Sequence, residues 1–194
     1  MKQHAAIFDL DGTLIPHSSA ERTFFFYLIR SKILSAADIF QMVAALWTTR
    51  GNLHGIFRAN KRYLKNKPVE KIEEITSQYF APQVERIVYK GMREIIESHR
   101  QEGDILLLLS GTLNIIAECF VRELKLDGYR ATNLEVRNQR YTGHVDGLLP
   151  YGFGKLEVLR AFSKQYNFDP SFTALYANLY SDRFVMNAVE MPVA

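Results

Sequence analysis

Three short apolar runs, AAIF at 5–8, ILLLL at 105–109 and FTALYA at 172–177, constrain the fold of this 194-residue chain more than any other feature. They are compact enough to be strands buried on both faces, which is how the strands of a parallel sheet read. Each run is followed by polar or small residues: Asp9, Asp11, Gly12 and Thr13 after the first, Ser110, Gly111 and Thr112 after the second, and Asn178 after the third. In open α/β sheets ligands bind in the crevice beyond the carboxyl ends of the strands, so these residues form the candidate site.

Between the first two runs, from Pro16 to Pro82, apolar residues recur at helical spacing, as at Phe26, Ile29 and Ile33 and again at Ile72, Ile75 and Tyr79. Breaks are expected at Ser35, Gly51–Asn52 and Lys67–Pro68, giving about four helices. That is too much chain for a crossover connection, and residues 16–82 read as a helical cap inserted into a core built from 1–15 and 83–194. Further on, VERIVYKGMREIIESHRQEG reads as a helix closed by Gly103, and LNIIAECFVRELKLDG as one closed by Gly128. LEVRNQRYTGHVDG alternates around Asn138-Gln139 as a hairpin, and GFGKLEVLRAFSKQYN returns to helix.

A composition of 47% hydrophobic and 23% charged residues is that of a globular protein with a real core, not a disordered one. The single cysteine, Cys119, excludes an internal disulfide framework and fits a reducing compartment; its helical surroundings favour packing. No run approaches the roughly 20 apolar residues of a membrane span, and the start is too short for a secretory signal, so a cytoplasmic protein is expected. The net charge of +3 does not suggest nucleic acid, and no membrane association is expected. Arg50, Arg58, Lys61, Arg62, Lys65 and Lys67 nonetheless follow one another without an acid between them, either as a field for an anionic substrate or as a solvated helix face.

On an extended strand Asp9 and Asp11, at i and i+2, can point the same way. Two such carboxylates are tolerated where a divalent cation keeps one ionised and leaves the other free to be protonated, separating a nucleophile from a general acid. Gly12 permits a tight turn and Thr13 adds a hydroxyl; a plain strand-end turn with Asx-type bonds is the alternative. Ser110 and the Gly111 N–H would meet phosphate oxygens at a helix N-terminus, or Ser110 or Thr112 would simply cap that helix. Lys155, after two glycines at the start of a helix, would neutralise a phosphoryl group or face solvent.

The series DLDGT, LLLLSGT, GFGK and YANLYSDRFVMNAV resembles the four motifs of the haloacid dehalogenase superfamily of phosphohydrolases. The helical insertion and YTGHVDGLLPYGFGKLEVL resemble its phosphoserine phosphatase-like branch, subclass IB. The resemblance implies an α/β fold, a Rossmann-like parallel sheet core with an inserted all-helical cap domain. It also implies a magnesium-dependent phosphomonoesterase acting on a small phosphorylated metabolite through an aspartyl-phosphate. Asp9 would be the nucleophile, Asp11 the acid and base, and Lys155 the group that steadies both Asp9 and the phosphoryl. Thr13, Ser110, Gly111 and Thr112 would bind substrate, with Arg58 from the cap. Mg2+ would be held by the Asp9 carboxylate, the Asp11 carbonyl, Asn178 and Asp182, hard oxygen donors that suit the ion. The presence of Asp11 favours ester hydrolysis over carbon–halogen cleavage, which has no alkoxide to protonate.

The chain departs from the pattern in three places. Asn178 stands where the family's fourth motif usually has an aspartate, which removes a charge beside a dication and some 4 kcal/mol of gross attraction at about 4 Å and an effective dielectric of about 20. Weakened metal binding is expected, and a catalytically impaired member that binds a phosphate compound or a protein partner is the alternative. The chain stops at EMPVA, before the usual last strand and loop, so a truncated core edge is expected. Ser18 or Ser19 occupies the place of the glutamate that reads the substrate's amino group in phosphoserine phosphatases, with Glu21 slightly further on, so phosphoserine is not the expected substrate.

Overall fold

The computed structural model describes residues 3–16, 19–40, 44, 61–178 and 182–193. The chain begins with β1 (Gln3–Phe8), α1 (Ala20–Arg30), a 3-10 turn over Arg62–Leu64, α2 (Val69–Phe80) and the short α3 (Val84–Ile87). It continues through α4 (Lys90–Glu102), β2 (Ile105–Leu113), α5 (Asn114–Leu124), β3 (Gly128–Arg137) and β4 (Arg140–Asp146). It finishes with α6 (Phe153–Tyr166), β5 (Phe168–Tyr176), α7 (Arg183–Met186) and β6 (Met191–Val193). The six strands form one sheet in the order β4-β3-β2-β1-β5-β6, parallel except for the β3–β4 hairpin.

The expected strand runs are the three at its centre. Ala5 and Ile7 join Leu107, Leu109, Leu159 and Phe162 on one face, while Ala6 and Phe8 join Leu106, Leu108, Phe24, Phe80 and Phe120 on the other. This alternation, apolar on both sides, is why the runs are almost wholly apolar, the buried Thr173 hydroxyl excepted. Within the expected cap, the described residues Phe24, Leu28, Tyr63, Leu64 and Ile72 belong to the same apolar cluster as that second face.

Three local expectations are corrected. The helix read through VERIVYKGMREIIESHRQEG is broken at Val88, where ψ is 131°, because the Tyr89 N–H turns to Leu14 O at 2.9 Å; Gly103 closes α4 as expected, at φ 80°. The helix expected to end at Gly128 ends instead at Lys125, in the left-handed region at φ 52°, and Gly128 opens β3. Strand β2 runs on past Leu109 to Leu113, since Leu113 pairs with Thr132 and the Thr132 hydroxyl donates to Gly111 O at 2.7 Å. At the other end of the sheet the short β6 pairs with β5 at Ala174↔Met191 to Tyr176↔Val193. The hairpin stands as expected, with Asn138 and Gln139 at φ 49° and 59°, a primed turn that matches strand twist.

Candidate active site

Strand β1 stops at Phe8, and the acids sit in the turn beyond it and not on an extended strand as alternation suggested. The Asp9 N–H donates to Tyr176 O at 2.9 Å, and Leu10 O accepts from the N–H groups of Thr13, Leu14 and Ile15. Gly12, at φ 84°, makes this wrap possible without the strain a Cβ would bring. The turn aims Asp11 at the start of α1, whose Ala20 N–H donates to Asp11 Oδ1 at 2.7 Å. Ser19 caps that helix through its hydroxyl, a contribution of about 1 kcal/mol. It therefore stands as a helix cap, whereas Ser18 lies outside the described residues.

Lys155, which reads from sequence as either solvent-exposed or catalytic, is buried on the first turn of α6. Its Nζ donates to Asp9 Oδ1 at 2.9 Å and lies 2.8 Å from Asp182 Oδ1. Asn178 Nδ2 donates to Gly12 O at 2.6 Å and so ties the end of β5 to the acid loop. Ser110 is buried and its hydroxyl accepts from the Thr112 N–H at 3.3 Å. Neither residue caps α5, whose N-cap is Leu113 with no side-chain bond, so the capping alternative falls. Thr13, Thr112 and Asn114 each keep a buried side-chain oxygen with no hydrogen-bond partner among the described residues. Asn114 was not singled out in the sequence. Arg58 lies outside the described residues, as does Arg50.

Burial raises the Asp9 carboxyl above its ordinary value, outweighing the pull of Lys155, and the Asp182 charge pushes the same way. Asp11 is raised to about 7 by burial; the Ala20 N–H opposes this, and the charges of Asp9 and Glu21 add to it. Burial alone would lower Lys155, but the carboxylates of Asp9 and Asp182 more than reverse it. The corner thus sets an acid held against an ammonium beside a second acid that titrates near neutrality.

Two carboxyl groups, Asp9 and Asp182, meet one ammonium here, and Asp182, fully buried, leaves Oδ2 without a hydrogen-bond partner among the described residues. A surplus of buried acid with an orphaned oxygen, beside the amide of Asn178, is a donor set that fits a hard divalent cation. Elsewhere His99, Glu102 and Asp104 bring ligand atoms within 4.8 Å of one another. There, however, the imidazole nitrogens already meet Asp104 at 2.7 Å and Tyr176 at 2.8 Å.

Sequence reasoning missed a second buried charge cluster beside the first. Glu21, next to Ala20, pairs with Lys61 and accepts from the Tyr63 hydroxyl at 2.8 Å, and all three are buried. Glu21 is thereby closed to a substrate amine. The acid-free basic stretch is also not a uniform solvated face: Lys61 is engaged by Glu21 and Lys67 by Asp38 at 2.8 Å, while Arg62 and Lys65 are exposed.

A doubly covered, mainly parallel sheet with two acids just past its central strand, and a lysine bridging one of them to a third, is a Rossmann-like α/β core with a charged site at the carboxyl ends of its strands. The chain belongs to the haloacid dehalogenase-like hydrolase family, whose model matches residues 6–186. Among its relatives are phosphoserine phosphatase SerB1 of Mycobacterium tuberculosis, 23% identical over 98% of this chain and 64% of its own, and histidinol-phosphatase of Neisseria meningitidis, 24% identical over 99% and 90%. The chain thus spans just under two thirds of the length of the mycobacterial relative. The fold is shared with a protein of unknown function from Bordetella pertussis, at a TM-score of 0.80 and 18% identity, covering 98% of this chain and 88% of that one. Among the described residues no helix is long and apolar enough to cross a membrane.

Proposed function

We propose that the protein is a magnesium-dependent phosphomonoester hydrolase that acts on a small phosphorylated metabolite through an aspartyl-phosphate on Asp9. The observation that carries this reading is the buried Lys155 ammonium between Asp9 Oδ1 and Asp182 Oδ1, at 2.9 and 2.8 Å, beside an acid raised to about 7. The names of the relatives, a phosphoserine phosphatase and a histidinol-phosphatase, support the same chemistry.

Asp9 attacks phosphorus; its O–P bond forms as the ester P–O bond breaks, and the leaving oxygen takes the proton of Asp11. Asp11, now a carboxylate, then receives a proton from the water that attacks the aspartyl-phosphate, releasing phosphate and restoring Asp9. Lys155 holds Asp9 in place and neutralises charge on the transferring group. Thr13, Ser110, the Gly111 N–H and Thr112 hold the phosphoryl oxygens, and Arg58 contacts the rest of the substrate. Asp9, the Asp11 carbonyl, Asn178 and Asp182 would hold Mg2+, which supplies charge neutralisation to the phosphoryl oxygens when bound. Residues 16–82 act as the cap that shields the reaction from water.

A phosphate-ester panel with and without magnesium, alongside Asp9→Asn, tests the reading. Magnesium-dependent release of phosphate, lost in Asp9→Asn, is the expected result; turnover surviving in that variant would refute the nucleophile. A flat panel with retained phosphate-analogue binding would favour the impaired member that Asn178 suggests.

A further inference from the structure

The cluster of Glu21, Lys61 and Tyr63 has no part in the steps above, yet it lies one residue from the N–H that holds Asp11. Both Glu21 oxygens are engaged, Oε2 by the Lys61 ammonium and Oε1 by the Tyr63 hydroxyl at 2.8 Å. The donors stand on a segment laid along β4. The Lys61 N–H reaches Gly143 O at 3.3 Å, Asn66 N–H reaches Tyr141 O at 2.8 Å, Tyr141 N–H reaches Lys67 O at 3.1 Å, and Val69 N–H reaches Gln139 O at 3.0 Å. Gly143, at φ 86°, admits this segment: a Cβ there would stand 3.0 Å from Arg62 Cα. The start of α1 is therefore referenced to the edge of the sheet, 40 residues on in sequence from Glu21 to Lys61.

Stability does not by itself account for such a cluster, because well-packed apolar residues often replace a buried ion pair with no loss. A direction does: a carboxylate fixed at both oxygens sets where the first turn of α1 points, and that turn carries the Ala20 N–H bonded to Asp11 Oδ1 at 2.7 Å. We infer that Glu21, clamped by Lys61 and Tyr63, is a positioning residue that aims Asp11 at the leaving-group oxygen. The inference rests on the proposed role of Asp11 as proton donor. Small misplacements of a catalytic group are costly in rate, so the clamp's effect belongs to the proton-transfer step.

The test compares kcat/KM for two esters: para-nitrophenyl phosphate, whose acidic phenol departs without a proton, and glycerol 3-phosphate, whose alkoxide needs one. Tyr63→Phe, which deletes one hydroxyl and leaves the ion pair, is expected to lower kcat/KM for the alkyl ester by about tenfold and for the aryl ester by less than about twofold. Lys61→Met serves as the stronger variant, and circular dichroism establishes that each variant compared is folded. An equal fall for both esters, or no fall for either in Tyr63→Phe, would overturn the inference and leave the phosphatase reading intact. Wild type that cleaves neither ester would overturn that reading together with the inference.

Discussion

The two buried charge clusters, Asp9 with Lys155 and Asp182 and Glu21 with Lys61 and Tyr63, lie at either end of the loop that carries Asp11, and they are finished to different degrees. Around Glu21 each acceptor has its donor: one carboxylate, one ammonium and one hydroxyl close on themselves. Around Lys155 the acids outnumber the cation, and Asp182 Oδ2, Thr13 Oγ1 and Thr112 Oγ1 are left without hydrogen-bond partners among the described residues. A closed cluster is at its best in the folded protein as it stands. An open one is strained until something arrives, and buried unsatisfied groups of this kind mark a site where ligand supplies the missing contacts.

The comparison breaks most visibly if the two clusters respond alike to losing a charge. Asp9→Asn removes one of the surplus acids and should cut turnover by about 10³-fold or more, while the midpoint in urea holds or rises; kinetics and denaturation on the same preparation check both. Lys61→Met leaves Glu21 buried and unpaired, and should lower unfolding free energy by about 3–5 kcal/mol, read from urea titration. Asn178→Asp adds an acid to the open cluster. It should tighten magnesium binding by roughly tenfold and leave the metal-free protein less stable, as calorimetric titration and melting will show.

The smallest effect belongs to a group in neither cluster. Burial pushes the Cys119 thiol up from 9.0 to about 11. The folded state then binds more protons than the unfolded one between those values, so stability falls as pH rises through that window. Cys119→Ala should flatten that part of the profile in urea titrations run at successive pH values. Alkylation of the native thiol should be slow at pH 8 and accelerate when the chain unfolds.

The sheet was legible because its central strands are apolar on both faces, a pattern that depends on nothing outside the strand. Asp9, Lys155 and Asp182 are readable as candidates from their places at strand and helix ends, and the structure brings these three side chains together. What escaped depends on distant partners. VERIVYKGMREII is periodic throughout, and its break at Val88 is imposed by a bond from Tyr89 to Leu14 O. LLLLSGT gives no local sign that Ser110 to Leu113 continue the strand, since that follows from pairing with Thr132. Lys61 looks solvated in an acid-free stretch, and only the fold supplies its acid. Glu21 reads from sequence only as lying slightly beyond the place of an amine-reading glutamate, and its burial against Lys61 and Tyr63 is beyond local reading.

The central position of β1 sets an order of events as the chain is made. Its neighbours are Ile105 to Leu108 on one side and Thr173 to Tyr176 on the other, so the strand leading into Asp9 waits for nearly the whole chain before both its edges are paired. At synthesis rates of about 5–20 residues per second that interval is roughly ten to thirty seconds. Such long sequence separations also slow folding once all the parts are present. Activity should therefore be the last property to emerge from a ribosome or to return on dilution from denaturant, well after the helices have formed.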